Sequence, residues 1–225
     1  EYALNKVAAK ALILASSFKS SDYVAMLREL VPELDHCAPG ALNSARLPHL
    51  FSLIQIGNET AKGFYNFAEI ARLADDSHQR RIIDLAATLQ FDDPINIQFT
   101  SGTTGFPKGA TLTHFNILNN GYFTGQGLKF TAEDRLCVPV PLYHCFGMVL
   151  SNIAALTHGA ALIYPGEAFD PLSVLEAIDE ERCTALHGVP TLFIAELAHP
   201  RFKEFDLSSL RTGIMAGSPC PIEVM

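Results

Sequence analysis

Short apolar runs alternate with stretches of helical periodicity along this sequence, and that alternation limits the fold more than any other feature. Ala11 to Ala15, Leu50 to Ile56, Ile95 to Thr100, Leu136 to Val140, Ala160 to Tyr164, Thr184 to His187 and Thr212 to Ala216 read as strands. Helices are predicted between them. The first starts at one of the caps Ser20, Ser21 or Asp22 and stops at Pro32. Others cover 66–73, 77–90, 113–121, 144–156, 171–181 (proline in its first turn) and 190–197. In the 77–90 segment Ile82, Ile83, Leu85, Ala86 and Leu89 share one face. Strands separated by helices require right-handed crossovers. The expected class is therefore α/β, with mostly parallel sheets and flanking helices. Two sheet-containing parts are expected, roughly 1–50 and 51–225. Glu1 to Ala9 reads as the tail of a helix begun earlier, and Pro221 to Met225 as the first turn of an unfinished one. The chain is accordingly expected to be an internal piece of a longer protein.

Composition excludes several function classes. Of 225 residues, 48% are hydrophobic and 18% charged, too apolar for a disordered chain. Lys and Arg number 16 against 24 Asp and Glu, and the Arg80-Arg81 pair sits among Asp75, Asp76 and Asp84. A net charge of -8 without a basic cluster argues against nucleic acid as a partner. The five cysteines form no CxxC pair and are odd in number. That excludes a disulfide framework and a structural zinc site, and no metal ligand is assigned. A reducing compartment fits, with bacterial cytoplasm and mitochondrial matrix both satisfying the argument. No apolar run is long enough for a membrane span. The nearest, Met148 to Tyr164, is broken by Ser151, Asn152, Thr157, His158 and Gly159.

The segment that carries chemistry is FTSGTTGFPKG, Phe99 to Gly109. Thr100, Ser101, Thr103 and Thr104 supply hydroxyl donors, Gly102 and Gly105 let backbone N–H groups close on an anion, and Lys108 adds a point charge. An apolar strand leads into it, as expected for a site at the carboxyl edge of a sheet. It is not a Walker A loop, because Pro107 precedes Lys108 and Gly109 follows it. On composition alone, a surface loop rich in Ser, Thr and Gly is the other reading.

The string Thr100 to Gly109 resembles the phosphate-loop signature of the adenylate-forming enzymes, which include acyl-CoA synthetases, firefly luciferase and peptide synthetase adenylation domains. Further resemblances follow in that family's order. Pro141-Leu142-Tyr143-His144-Cys145-Phe146-Gly147 is similar to its PLxHxxG motif. Gly188-Val189-Pro190-Thr191 is similar to its GVPT turn, and Ala216-Gly217-Ser218-Pro219 to the small-residue turn before YGxTE. Asp93 to Phe99 and Pro39 to Leu42 resemble the medium-chain acyl-CoA synthetases and their bacterial relatives. The likeness covers the whole chain, but only the middle of a full-length enzyme.

The resemblance implies a partial N-terminal AMP-binding domain with the C-terminal domain absent. It implies that Thr100, Ser101, Gly102, Thr103, Thr104, Gly105 and Lys108 bind the β- and γ-phosphates of ATP with Mg²⁺, and that Gly217, Ser218 and Pro219 border the nucleotide. His144 is the implied catalytic residue, near the carboxylate. Tyr143, His187 and Gly188 are implied walls of the acyl pocket, whose lining is expected from 143–155 and 187–217. The implied function is an ATP-dependent fatty-acid–CoA ligase, with fatty acid, ATP and CoA as partners. An aryl or amino acid adenylating enzyme is the alternative, or a non-catalytic nucleotide-binding module. The family's YGxTE acid, ribose-binding Asp and catalytic Lys have no counterpart here, so the chain alone is expected to be inactive. A homodimer is compatible with the sequence.

Overall fold

In the computed structural model, which describes residues 1–100 and 105–224, the chain divides between Leu89 and Gln90. The first unit contains α1 (Tyr2–Lys6), β1 (Ala11–Ala15), β2 (Ser17–Phe18), β3 (Ser21–Asp22), α2 (Tyr23–Leu30), β4 (Ser52–Ile56), β5 (Tyr65–Asn66) and α3 (Asp76–Ala86). Asp22 caps α2, its side chain accepting from Ala25 N at 2.8 Å, and Pro32 opens a 3₁₀ turn where α2 ends. β1, β4 and β5 form a parallel sheet, with Ala11 opposite Ser52 and Ile54 opposite Tyr65. Val31, Leu34, Leu47, Leu50 and Leu53 are buried together with Val24, Leu27, Leu42 and Phe64. Each fully buried Leu is worth about 2 kcal/mol in removed apolar surface. Because β1 pairs with β4, a division near residue 50 would cut one sheet in two. The boundary therefore falls later than the sequence suggested. Asp75 and His78 form a capping box on α3, yet the apolar stripe of Ile82, Ile83, Leu85 and Leu89 stays exposed.

The second unit contains β6 (Pro94–Phe99), β7 (Gly109–Thr113), α4 (His114–Gly127), β8 (Arg135–Cys137), α5 (Ala154–Leu156), β9 (Ala161–Ile163), α6 (Pro171–Glu181), β10 (Ala185–Gly188), α7 (Pro190–Leu197) and β11 (Thr212–Met215). Its four-stranded sheet has the order β11-β10-β8-β9, with every neighbouring pair parallel. Alternate residues of central β10 face opposite ways. Leu186 packs with Cys137, Val174, Ile178 and Cys183, on the α6 side. Ala185 packs with Phe130, Phe146, Ala154 and Ala155 on the other side. Gly121 lets α4 approach that second layer closely, since a Cβ there would lie 2.5 Å from Ile153 Cγ2 and 3.1 Å from the Ile153 backbone carbon.

An ion pair between the buried Asp134 and the exposed Arg211 joins distant parts of this unit. Asp134 accepts from Arg211 Nη2 at 2.5 Å, Arg211 Nε at 2.9 Å, Thr184 Oγ1 at 2.6 Å and Thr131 N at 2.8 Å. Burial alone would raise this carboxyl, but the bonds from Arg211, Thr184 and Thr131 outweigh it and hold the group well below the usual carboxylate range. Arg211 also donates to the carbonyls of Leu128 and Lys129, tying the end of α4 to the approach to β11.

Two local expectations change. The segment 66–73 starts at Asn66, the end of β5, and continues as a 3₁₀ helix, Phe67–Leu73. The 144–156 segment is a π-helix over Phe146–Ile153 that passes into α5. There the Ser151 hydroxyl donates to the Phe146 carbonyl (3.0 Å) across five residues, the spacing of a π turn.

Candidate active site

Parallel strands place their carboxyl ends along one edge, where α/β proteins bind ligands. Three of the motif segments meet that rule. Residues 141–147 follow β8, 188–191 follow β10 and 216–219 follow β11. The last two are joined directly, Ala216 N donating to Gly188 O at 3.2 Å. Gly217 has a φ of 92°, a conformation that L side chains rarely adopt, and a Cβ there would sit 3.1 Å from Val189 Cγ1. Ser218 and Pro219 are exposed beside it.

His144 and Tyr143 are both exposed, Tyr143 by 79%. His144 Nδ1 accepts from Phe146 N at 3.1 Å, so in the neutral ring the proton lies on Nε2. The outward Nε2–H is then a hydrogen-bond donor for an anionic oxygen. His187 is fully buried, with its Nδ1 3.0 Å from Ser151 Oγ and its ring packed against Phe146 and Phe130. Desolvation pushes this imidazole down to about 4, so it is neutral at physiological pH. Gly188 is buried against the Phe193 ring.

The phosphate-loop string departs from the sheet-edge expectation. β6 and β7 pair antiparallel, Phe99 opposite Gly109, so the loop spans a hairpin rather than a strand-to-helix crossover. Thr100 N donates to Lys108 O at 2.9 Å, and Lys108 N donates to Thr100 Oγ1 at 3.3 Å, closing the base of the loop. Thr100, Gly105 and Lys108 are exposed, and Gly105 has a φ of 148°. Ser101, Gly102, Thr103 and Thr104 lie outside the described residues. The hairpin touches the π-helix, where Asn96 Nδ2 lies 4.0 Å from Met148 Sδ.

Hairpin, α4 and π-helix together wall a cavity of about 340 Å³. Leu112, Ile117, Val149, Leu150 and Cys145 make it largely apolar, with Asn116 and Asn120 on one side. The 143–155 segment supplies one wall of this cavity through Cys145, Val149 and Leu150, β7 and α4 supply the other, and His187 and Gly188 do not line it. The sequence held one unused signal for the α4 wall, the pair Gly121 and Gly125, spaced to clear one helix face. Among the described residues, no group of three or more His, Cys, Asp or Glu is placed to hold a metal.

The family model for AMP-binding enzymes matches residues 1–225. The chain belongs to this family. It is 48% identical over its whole length to YngI of Bacillus subtilis (strain 168), covering 41% of that protein. It is 45% identical to the mitochondrial medium-chain acyl-CoA ligase ACSF2 of Danio rerio, covering all of this chain and 37% of that one. The chain therefore spans well under half the length of these relatives. Among solved structures, the anthranilate CoA ligase AuaEII in complex with anthranoyl-AMP is similar with a TM-score of 0.76 and 25% identity, over 99% of this chain and 39% of that one. The N-terminal domain of FACL13 from Mycobacterium tuberculosis shares the fold, with a TM-score of 0.72 at 23% identity. As in the sequence reading, the fold is mixed α/β with parallel sheets, and it is that of the N-terminal domain of adenylate-forming ligases. No helix among the described residues is long and apolar enough to cross a membrane.

Proposed function

We propose that this chain is part of an ATP-dependent fatty-acid–CoA ligase. A substrate carboxylate oxygen attacks the α-phosphorus of ATP, giving acyl-AMP and releasing pyrophosphate. The thiol of CoA then attacks the acyl carbon and AMP leaves. The observation that carries this reading is one shared cavity. An apolar hollow of about 340 Å³ is walled by Leu112 of the hairpin that bears the phosphate-loop string, by Asn116, Ile117 and Asn120 of α4, and by Cys145, Val149 and Leu150 in the segment just after His144. In this reading the apolar acid tail occupies that hollow and the polyphosphate the loop of the same hairpin, and positioning is most of the catalysis in such chemistry.

In this reading Thr100, Gly105, Lys108 and residues 101–104 bind the polyphosphate, and Gly217, Ser218 and Pro219 border the nucleotide. His144 Nε2–H orients the carboxylate, and Tyr143 stands at the pocket mouth. The described residues offer no carboxylate cluster for Mg²⁺, so no step is derived through that ion. All five cysteines are free, which supports a reducing compartment, bacterial cytoplasm or mitochondrial matrix. The likeness to a ligase that carries anthranoyl-AMP favours an aryl acid as the second reading.

The test is AMP formation by the full-length protein with ATP, CoA and a panel of acids from acetate to palmitate, with benzoate and anthranilate added. Turnover greatest with medium-chain acids is expected. Turnover confined to aryl acids selects the second reading, and no AMP with any acid refutes both.

A further inference from the structure

His144 and His187 belong to different elements, one exposed and one fully buried, and both meet at Phe146. His144 Nδ1 accepts from the Phe146 N–H at 3.1 Å. The Phe146 carbonyl lies 3.0 Å from Ser151 Oγ, which in turn lies 3.0 Å from His187 Nδ1. The His187 ring also packs on the Phe146 ring at 5.6 Å between centroids. Ser151, like His187, has no exposed surface.

A serine hydroxyl has one proton to give. The Ser151 hydroxyl and His187 Nδ1 are both satisfied when Ser151 donates to the Phe146 carbonyl and His187 Nδ1–H donates to Ser151 Oγ. That arrangement fixes the His187 tautomer and leaves Nε2 as an acceptor, which is buried and meets no donor among the described residues. Holding a buried acceptor empty costs stability. A core position that only needed filling would be served as well by an apolar side chain. The hydroxyl bond spans five residues, the spacing that separates a π turn from an α turn. It lies at the first residues of the π-helix, which starts two residues after His144.

We infer that Ser151 and His187 are positioning residues for His144. The pair pins Phe146 through its carbonyl and its ring, and the Phe146 N–H then holds the His144 imidazole with Nδ1 as acceptor and Nε2–H outward. The inference rests on the proposed role of His144 in the ligase reaction. It assigns to His187 a task inside the core rather than at the acyl pocket.

The test uses the full-length protein and two independent readouts. ¹⁵N NMR of the labelled histidine rings reports the His144 tautomer, assigned with a His144→Ala variant. Steady-state AMP formation with a medium-chain acid gives kcat and KM. Ser151→Ala and His187→Leu should each lower kcat about tenfold, with KM for ATP changed less than about twofold. In both, the His144 ring should pass from one tautomer to an exchanging mixture. His187→Asn, whose amide can place a donor near the Nδ1 position, should recover most of the kcat and the single tautomer. An unchanged His144 tautomer in Ser151→Ala and His187→Leu overturns the inference, as does equal loss in His187→Asn and His187→Leu. Ser151→Thr, which keeps the hydroxyl, serves if the alanine variant fails to fold. If the wild type forms no AMP but the tautomers respond as described, the positioning role stands and the ligase reading falls.

Discussion

Glu196 is a carboxylate placed where its charge is unwelcome. It lies on α7 with 4% of its surface exposed. Desolvation is the sole cause that moves its carboxyl, pushing it from 4.5 up to about 7. Between those two values the folded chain holds a proton that the unfolded chain has released, so stability falls as pH rises through that window. At about 1.4 kcal/mol per pKa unit, the gap costs the folded state about 3 kcal/mol once the pH is well above 7. Glu196→Gln keeps the shape of the protonated side chain and removes the titration. It should raise the free energy of unfolding by about 3 kcal/mol near pH 8, and its effect should vanish below about pH 4.5. Urea unfolding followed by far-UV circular dichroism is the suitable assay, because the chain has 0 Trp for fluorescence. A stability difference between variant and wild type that stays flat from about pH 4.5 to 8 would refute the reasoning.

Arg211→Met should cost about 1–2 kcal/mol in the same unfolding assay, because Arg211 is 41% exposed and Asp134 keeps its donors from Thr184 and Thr131. A loss below about 0.5 kcal/mol would show that the pair does not hold α4 to β11. Gly217→Val forces a branched side chain into a φ of 92° against Val189, and nucleotide affinity of the full-length protein should fall about tenfold or more. Calorimetry showing unchanged affinity would remove the 216–219 turn from the nucleotide site. Gly121→Val should push α4 off Ile153 at a cost of about 1–3 kcal/mol. A melting temperature equal to wild type would mean that the two helices are not held as closely as described.

Elements with strong local punctuation were legible in the sequence. The predicted helices over 171–181 and 190–197 match α6 and α7, because each has a proline in its first turn and Asp170 caps the first. β1 matches as a bounded apolar run. What failed was pairing and period. The short run GATLT does not announce that it folds back on β6, since nothing local sets the direction of a partner strand. The π-helix carries the same apolar composition as an α-helix, and the Ser151 hydroxyl bond to the Phe146 carbonyl inside it leaves no trace in the periodicity of the sequence. The boundary near residue 50 failed for a related reason, because the β1–β4 pairing spans it. For the candidate site, the motif strings single out His144, Lys108 and Gly217 as candidates, whereas the α4 wall of the cavity depends on how two helices approach.

The turn at 216–219 hangs on an outermost strand that is threaded late. In its sheet β11 pairs with β10, which in turn pairs with β8, and Arg211 just before β11 reaches back to Asp134 and to the end of α4. During synthesis from the ribosome, the hairpin and the His144 helix can form well before that moment. Under the ligase reading, the nucleotide border at 216–219 would then form only once β11 has paired with β10.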